Sequence, residues 1–327
     1  MFTGRAREQH VHWMGSSCLW LQKRYEEEYK MIHIKKIMVP VDFSQASKKA
    51  VNYGLSLALE FDARLVLAHI APYEREAYEE AKVHLLDLIP SDCRECLTFE
   101  IIVKSGDVRR EILGIVQDKD IDLVVMGSRG RGYFERLLLG SVTERMLRKL
   151  PVPVLTVSHL DPEKEIHRPG AVPLQHILYA ADLSEGTEDG LRFSIRLARG
   201  LNAALTVLHV IDPIDYSLIG PEPAPYLPEY STEMRAKAEE ELNRIVALAS
   251  DGSVPITPLL VEGTPYDRIN KVAVECNADL IVINLQGKGR LERTLLGATA
   301  ERVVRTATVP VLSLPMPATY ASRWAAA

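Results

Sequence analysis

Short runs rich in Val, Ile and Leu recur along this chain, separated by stretches whose apolar residues return with helical spacing. In its first half the runs are KIMVPV, RLVLAHI, FEIIV, DLVVMG and PVPVLTV, and the intervening helical patterns include ASKKAVNYGLSLALEF, REILGIVQDKD and SVTERMLRKL. The pattern predicts the order βαβαβαβαβ. Continuously apolar strands linked by helices imply a parallel sheet covered on both faces through right-handed crossovers, the doubly wound α/β class. Such sheets bind ligands beyond the carboxyl ends of their strands, where the strand order reverses. A switch point between the first and fourth strands brings VPVDFS and MGSRG together.

The same pattern occurs twice. Residues 36–70 align with 176–210 at an offset of 140, matching Asp42 with Asp182, Ser44 with Ser184 and His69 with His209. SGDVRREI (105–112) aligns with EGTPYDRI (262–269), and IDLVVMGSRG (121–130) with ADLIVINLQG (278–287), now at an offset of 157. The extra residues fall around the proline-rich stretch 212–230, which reads as an irregular surface loop. Between Gly127–Arg148 and Asn284–Arg305, 10 of 22 positions are identical. The expected organisation is therefore two tandem doubly wound domains, each a five-stranded parallel sheet with helices on both faces. They span 31–157 and 175–315, with an N-terminal extension over 1–30, a polar linker at 158–174 carrying Pro162, Pro169 and Pro173, and a tail over 316–327.

Bulk properties narrow the function. The 327 residues suffice for two ordinary domains, and 47% hydrophobic with 25% charged residues is a globular composition. A net charge of −5 offers no electrostatic footprint for nucleic acid or an anionic membrane. No apolar run reaches the roughly 18–20 residues of a spanning helix. Cys18, Cys93, Cys96 and Cys276 are too few for a disulfide scaffold in a chain of this length, so a cytoplasmic setting is expected.

The candidate chemistry lies in MGSRGRGYFERLLLGS (126–141), a G-x2-G-x9-G-S loop followed at once by a helical pattern. Its glycines let backbone N–H groups approach a ligand closely, and the next helix offers unpaired donors and a partial positive charge. Arg129, Arg131 and the hydroxyls of Ser141 and Thr143 would suit a polyphosphate. It is not a Walker loop, since no GKS or GKT occurs. A structural reading stands beside this one: Ser141 and Glu144 have capping-box spacing, and glycines after strands serve tight turns. The residues alone leave the two level.

This spacing, placed after the fourth strand of a domain that opens with VPVDFS, resembles the universal stress protein family. Residues 31–157 and 175–315 look like two such domains of the adenine nucleotide alpha hydrolase-like architecture. The resemblance implies ATP as ligand, with or without Mg2+. It places Pro40, Val41 and Asp42 on the adenosine moiety and Ile70 beside the adenine. Met126, Gly127, Arg129, Gly130, Gly140, Ser141, Val142 and Thr143 fall on the phosphate loop. The second half keeps Asp182, Gly287 and Gly297, but Asn284, Gln286 and Ala298 replace Gly127, Arg129 and Ser141. Asn284 is expected to place a Cβ where the backbone should approach phosphate, and Ala298 to remove both a ligand donor and a helix cap. The second domain thus reads as a degenerate, structural or regulatory partner. Lys288, Arg293 and Thr299 keep a second working site open. Single-domain relatives pair through their final strands, so 152–157 and 309–314 are expected to make an internal pseudo-twofold contact. Homodimerisation of the whole chain stays open.

Other features weigh less. Cys93-Arg94-Glu95-Cys96 has the spacing of half a zinc site or a redox pair, but no second cysteine pair accompanies it. His69 and His209 end equivalent strands and read as structural. Asp42 has no neighbouring nucleophile or second acid, so no catalytic residue is assigned. Three classes follow: a nucleotide-dependent stress or signalling module, a slow ATP-hydrolysing enzyme, and a ligand-free interaction scaffold. The intact first loop favours the first.

Overall fold

The computed structural model describes residues 32–71, 78–129, 139–158, 174–184, 186–212, 227–286 (side chains from 232) and 296–315. Gly130, the extension over 1–30, nearly all of the 158–174 linker and the 316–327 tail lie outside the described residues.

The first half runs β1 (Lys36–Pro40), α1 (Gln45–Glu60), β2 (Arg64–Ala71), α2 (Tyr78–Asp87), α3 (Ser91–Arg94), β3 (Phe99–Ser105), α4 (Val108–Asp118), β4 (Leu123–Gly127), α5 (Ser141–Lys149) and β5 (Val154–Val157). The second half runs β6 (His176–Ala181), α6 (Thr187–Gly200), β7 (Ala204–Ile211), α7 (Leu227–Ala249), β8 (Ile256–Glu262), α8 (Pro265–Glu275), β9 (Leu280–Asn284), α9 (Ala298–Thr306) and β10 (Val311–Leu314). The proline-rich stretch expected to be irregular through residue 230 gives way at Leu227 to helix α7.

The strands form one ten-stranded sheet in the order β3-β2-β1-β4-β5-β10-β9-β6-β7-β8. Each half is parallel within itself, and β1 lies between β2 and β4, which makes the expected switch point. The halves join where β5 and β10 pair antiparallel, with Leu155 opposite Leu312 and Thr156 opposite Val311. Because Leu155 and Leu312 are equivalent positions, the pseudo-twofold axis passes between them. The Thr156 hydroxyl donates to the Val311 carbonyl at 3.1 Å inside this seam.

Alternation along each strand feeds two apolar layers, and neither breaks at the seam. Ile37, Val39, Leu65, Leu155, Ile177, Tyr179 and Leu312 share one face with α1 and α6. Met38, Val66, Met146, Leu178, Ile281 and Val303 share the other with α4, α5, α8 and α9. At the amino end of the strands, Asp122 accepts from the backbone N–H groups of Lys35 and Lys36, both at 2.9 Å. Asp279 repeats the arrangement on Gln175 and His176. These carboxylates fix where β1 and β6 begin and so align the opposite, carboxyl ends where the clefts open.

Candidate functional site

At the carboxyl end of β1 the chain turns sharply. Asp42 accepts from the Ser44 N–H at 3.0 Å, and Phe43 between them has φ 62°, a left-handed conformation rare for a bulky residue. Its ring lies 4.8 Å from that of His69. His69 Nδ1 donates to the Val41 carbonyl at 2.7 Å, tying the ends of β1 and β2 together. His209 does the same with Ala181 at 2.8 Å, and Leu183 repeats the left-handed turn at φ 55°. The two histidines thus have a structural bond in common, as their position suggested.

This turn forms one wall of a cleft of about 400 Å³ between β1, β2, β4 and the amino ends of α4 and α5. Pro40, Val41, Asp42, Ile70, Met126, Gly127, Arg129, Gly140, Ser141, Val142 and Thr143 all line it. Sequence reasoning missed Val108 and Ile112, which project from one face of α4 and supply apolar wall. Their signal was available: they sit four residues apart in SGDVRREI, a block that the second half repeats. Ser47 and Ala68 complete the lining and carried no signal of their own. Burial pulls the Arg129 guanidinium below its ordinary pKa, though Arg remains cationic.

The start of α5 decides what the cleft offers. The N-cap is Gly140, without a side-chain cap bond, so Ser141 is the first helical residue and not its cap. The Ser141 side chain is exposed, and its hydroxyl makes no hydrogen bond among the described residues. The first-turn N–H groups of Ser141, Val142 and Thr143 likewise have no partner among them. Thr143 differs: its buried hydroxyl donates to the Gly127 carbonyl at 2.9 Å, joining α5 to the end of β4. Its hydroxyl is thereby committed to the fold. Together these groups make a donor-rich end to an otherwise apolar cleft.

The second half has its own cleft of about 420 Å³, lined by Asp182, His209, Val210, Asp212, Ile269, Asn284, Gly297, Ala298 and Thr299 among others. Two expectations about it need correction. Gly297 is the N-cap of α9, as Gly140 is of α5, so Ala298 removes no helix cap. The Asn284 side chain does not stand in a phosphate path. Its Nδ2 donates to the Tyr179 hydroxyl at 3.1 Å and the Gly186 carbonyl at 3.2 Å, on the α6 side of the sheet. A Cβ built on Gly127 would point the same way, 2.7 Å from the Ala46 Cβ and 2.9 Å from its carbonyl carbon. Glycine at 127 is therefore required by α1 packing, while Gly190 makes room for Asn284 and Tyr179 under α6 and the Gly186 carbonyl receives the Asn284 amide.

Cys93 is buried in the core and Cys96 is exposed. Among the described residues no group of three or more His, Cys, Asp or Glu is placed to hold a metal, and no helix is long and apolar enough to cross a membrane.

Comparison with known proteins agrees with this architecture. The model of the universal stress protein family matches residues 33–158 and again 173–315. A universal stress protein of Mycolicibacterium smegmatis is 28% identical over 295 residues, covering 84% of this chain and 95% of its own. A universal stress protein of Methanocaldococcus jannaschii is 30% identical over 152 residues, covering 46% of this chain and 88% of its own. The crystal structure of a universal stress protein from Archaeoglobus fulgidus superposes with a TM-score of 0.64 at 21% identity, covering 88% of this chain and 98% of that one. A functionally unknown protein from Pseudomonas aeruginosa gives the same score at 19% identity, covering 91% and 98%. With two family matches that span most of its length and a sheet built from both, this chain belongs to the universal stress protein family and is of the tandem type.

Proposed function

We propose that the first half binds ATP in the cleft between β1 and β4, and that the protein works as a nucleotide-dependent stress-response or signalling module. The observation that carries this reading is the start of α5. Ser141 presents a hydroxyl, and Ser141, Val142 and Thr143 present N–H groups, that make no hydrogen bond among the described residues. Donors left open on a helix amino end suit an anion, and Arg129 on the same cleft adds a full positive charge. Asp42 and Ile70 stand on the wall formed by β1 and β2, and on this reading they meet the ribose hydroxyls and the adenine face. A cleft of about 400 Å³ falls within the roughly 300–1,000 Å³ usual for small-molecule sites.

Any Mg2+ would arrive with the phosphates. Asp42 is the one carboxylate among the described lining residues and is assigned to the sugar, so the ion would be held chiefly by phosphate oxygens and water. The chain's own residues bind and orient: Ser141 and the α5 N–H groups take the phosphates, Asp42 the sugar, and the α4 residues Val108 and Ile112 exclude water. None of them is a positioned general base or nucleophile, which favours a ligand that biases conformation or partner choice over one that is turned over.

The test is calorimetric titration of ATP into the full chain and into Ser141→Ala, with chromatography of nucleotide released on denaturation. One ATP per chain in the parent, with affinity lowered about tenfold or more by the substitution, is expected for loss of a charge-assisted hydrogen bond. No binding at millimolar ATP would return the protein to the scaffold class.

A further inference from the structure

The second cleft has not closed. It keeps about 420 Å³ against about 400 Å³ in the first, with Asp182 and His209 in the places of Asp42 and His69 and Val210 in that of Ile70. Pro265 and Ile269 stand for Val108 and Ile112, so the wall that would hold a base and sugar is retained. The Asn284 side chain is turned beneath α6, where it donates to Tyr179 and Gly186. The charge of the lining has changed instead. The described lining of the first cleft carries one guanidinium, Arg129, and one carboxylate, Asp42. The described lining of the second has two carboxylates, Asp182 and Asp212, and no cation.

Hydrogen-bond chemistry points the same way. Asp182 Oδ1 already accepts from the Ser184 N–H at 3.1 Å, the Ser184 hydroxyl at 2.7 Å and the Thr187 hydroxyl at 2.9 Å. Its bonds among the described residues converge on that oxygen, which leaves Oδ2 as the acceptor for a ligand. The first turn of α9 repeats the backbone donors of α5, so the difference lies in the side chains: carboxylates accept hydrogen bonds as phosphate oxygens do, and two of them disfavour a phosphorylated ligand and suit one rich in O–H and N–H donors. Thr299 returns a hydroxyl one position beyond the lost Ser141, a neutral group that serves either role.

From these observations we infer that the second cleft is a separate site for an uncharged nucleoside, so that one chain reads a nucleotide and a nucleoside through two halves of one sheet. The inference rests on the reading of the first cleft as an adenine nucleotide site, which supplies the assignment of the shared wall to base and sugar. Its regulatory meaning follows from the continuous cores: a ligand that stiffens one half acts on layers the other half shares.

The test is equilibrium dialysis of the full chain against labelled adenosine and, separately, labelled ATP. Two adenosines but one ATP per chain are expected. Val210→Trp, which fills the second cleft, should reduce adenosine to one and leave ATP at one. Because that variant places a large ring in a packed strand, a gain-of-binding variant keeps the proposal exposed: Gln286→Arg with Asp212→Ala should raise ATP from one to two. Two ATP on the parent chain would overturn the proposal with the first-cleft reading intact, as would a single adenosine. Should the parent bind no ATP, the first-cleft reading fails by itself. The second site is then judged by bound adenosine, whose loss in Val210→Trp supports it and whose retention overturns it.

Discussion

The amide of Asn284 donates to the carbonyl of Gly186 at 3.2 Å, holding the end of β9 against the start of α6 across 98 residues of sequence. In the first half the same place is filled by Gly127 against Ala46, with no room between them. The duplicated halves have thus exchanged bulk between strand and helix, glycine facing alanine in one and asparagine facing glycine in the other. Gly127→Asn alone should lower stability by roughly 1–3 kcal/mol through overpacking against α1. Adding Ala46→Gly should recover part of that loss. Urea unfolding of the single and double variants checks this, and equal loss in both would refute the exchange.

Ser141 and Thr143 lie two residues apart yet have different duties. Thr143→Val strands the buried Gly127 carbonyl that its hydroxyl now satisfies, at a cost of about 1–3 kcal/mol of stability. Ser141→Ala removes an exposed hydroxyl that no described residue uses, and stability should stay within about 0.5 kcal/mol. Nucleotide affinity should order the other way, falling more in Ser141→Ala. Paired denaturation and titration of both variants would show whether the two roles separate.

Much of this was legible because strands and their repeats write themselves into local pattern. Runs such as DLVVMG and ADLIVIN declare buried parallel strands, and the repeat of VPVDFS as YAADLS declares the duplication. The helix α2 left little trace, since only Ala81 and Leu85 of it are buried and no apolar stripe forms. Asn284 misled for a different reason. Its replacement of a glycine looked like damage to a ligand loop, while the residues that accommodate it, Gly186 and Gly190, lie about a hundred positions away. A side chain's direction through a sheet is settled by pleat and neighbours, and a loop motif read by itself does not contain them.

Asp251 links stability to acid. Burial alone would raise its pKa, but the Ser253 hydroxyl and N–H, followed by the Arg199 guanidinium, outweigh burial and hold it at about 2 against an ordinary 3.8. A depressed carboxyl stabilises the folded chain above its unfolded pKa and loses that contribution as pH falls towards the folded value. Asp251→Asn should therefore cost about 1 kcal/mol near neutrality, allowing for partial solvent screening. The gap between variant and parent should narrow below pH 3.8. Urea midpoints measured from about pH 6 down to about pH 3 would reveal it, and a gap independent of pH would rule the linkage out.

Cysteine reactivity should follow exposure. Burial first, then the nearby Asp92 and Cys96, push the Cys93 thiol up, and burial does the same to Cys276. Cys96 is exposed. Thiolate is the reacting species, so an alkylating reagent at neutral pH should modify Cys96 well before Cys93 or Cys276. Peptide mapping over time gives the order. Simultaneous labelling of Cys93 and Cys96 would instead point to a paired function for the two.

The seam makes the strongest demand on the whole molecule. Leu155 and Leu312 face each other on adjacent strands, each nearly fully buried, in an apolar layer that continues from one half into the other. If either half were stable alone, truncating Leu312 would loosen β10 and leave the first half's transition untouched. Instead β5 has β10 as its outer neighbour, so a weakened seam exposes apolar surface on both sides at once. Leu312→Ala should lower stability by roughly 2–5 kcal/mol. The loss should appear as one displaced transition, with probes in the two halves moving together. Far-ultraviolet circular dichroism alongside hydrogen exchange resolved by peptide would separate the cases. Protection lost across 280–314 but kept across 36–71 would show that the halves are energetically independent and that the shared sheet joins them in geometry alone.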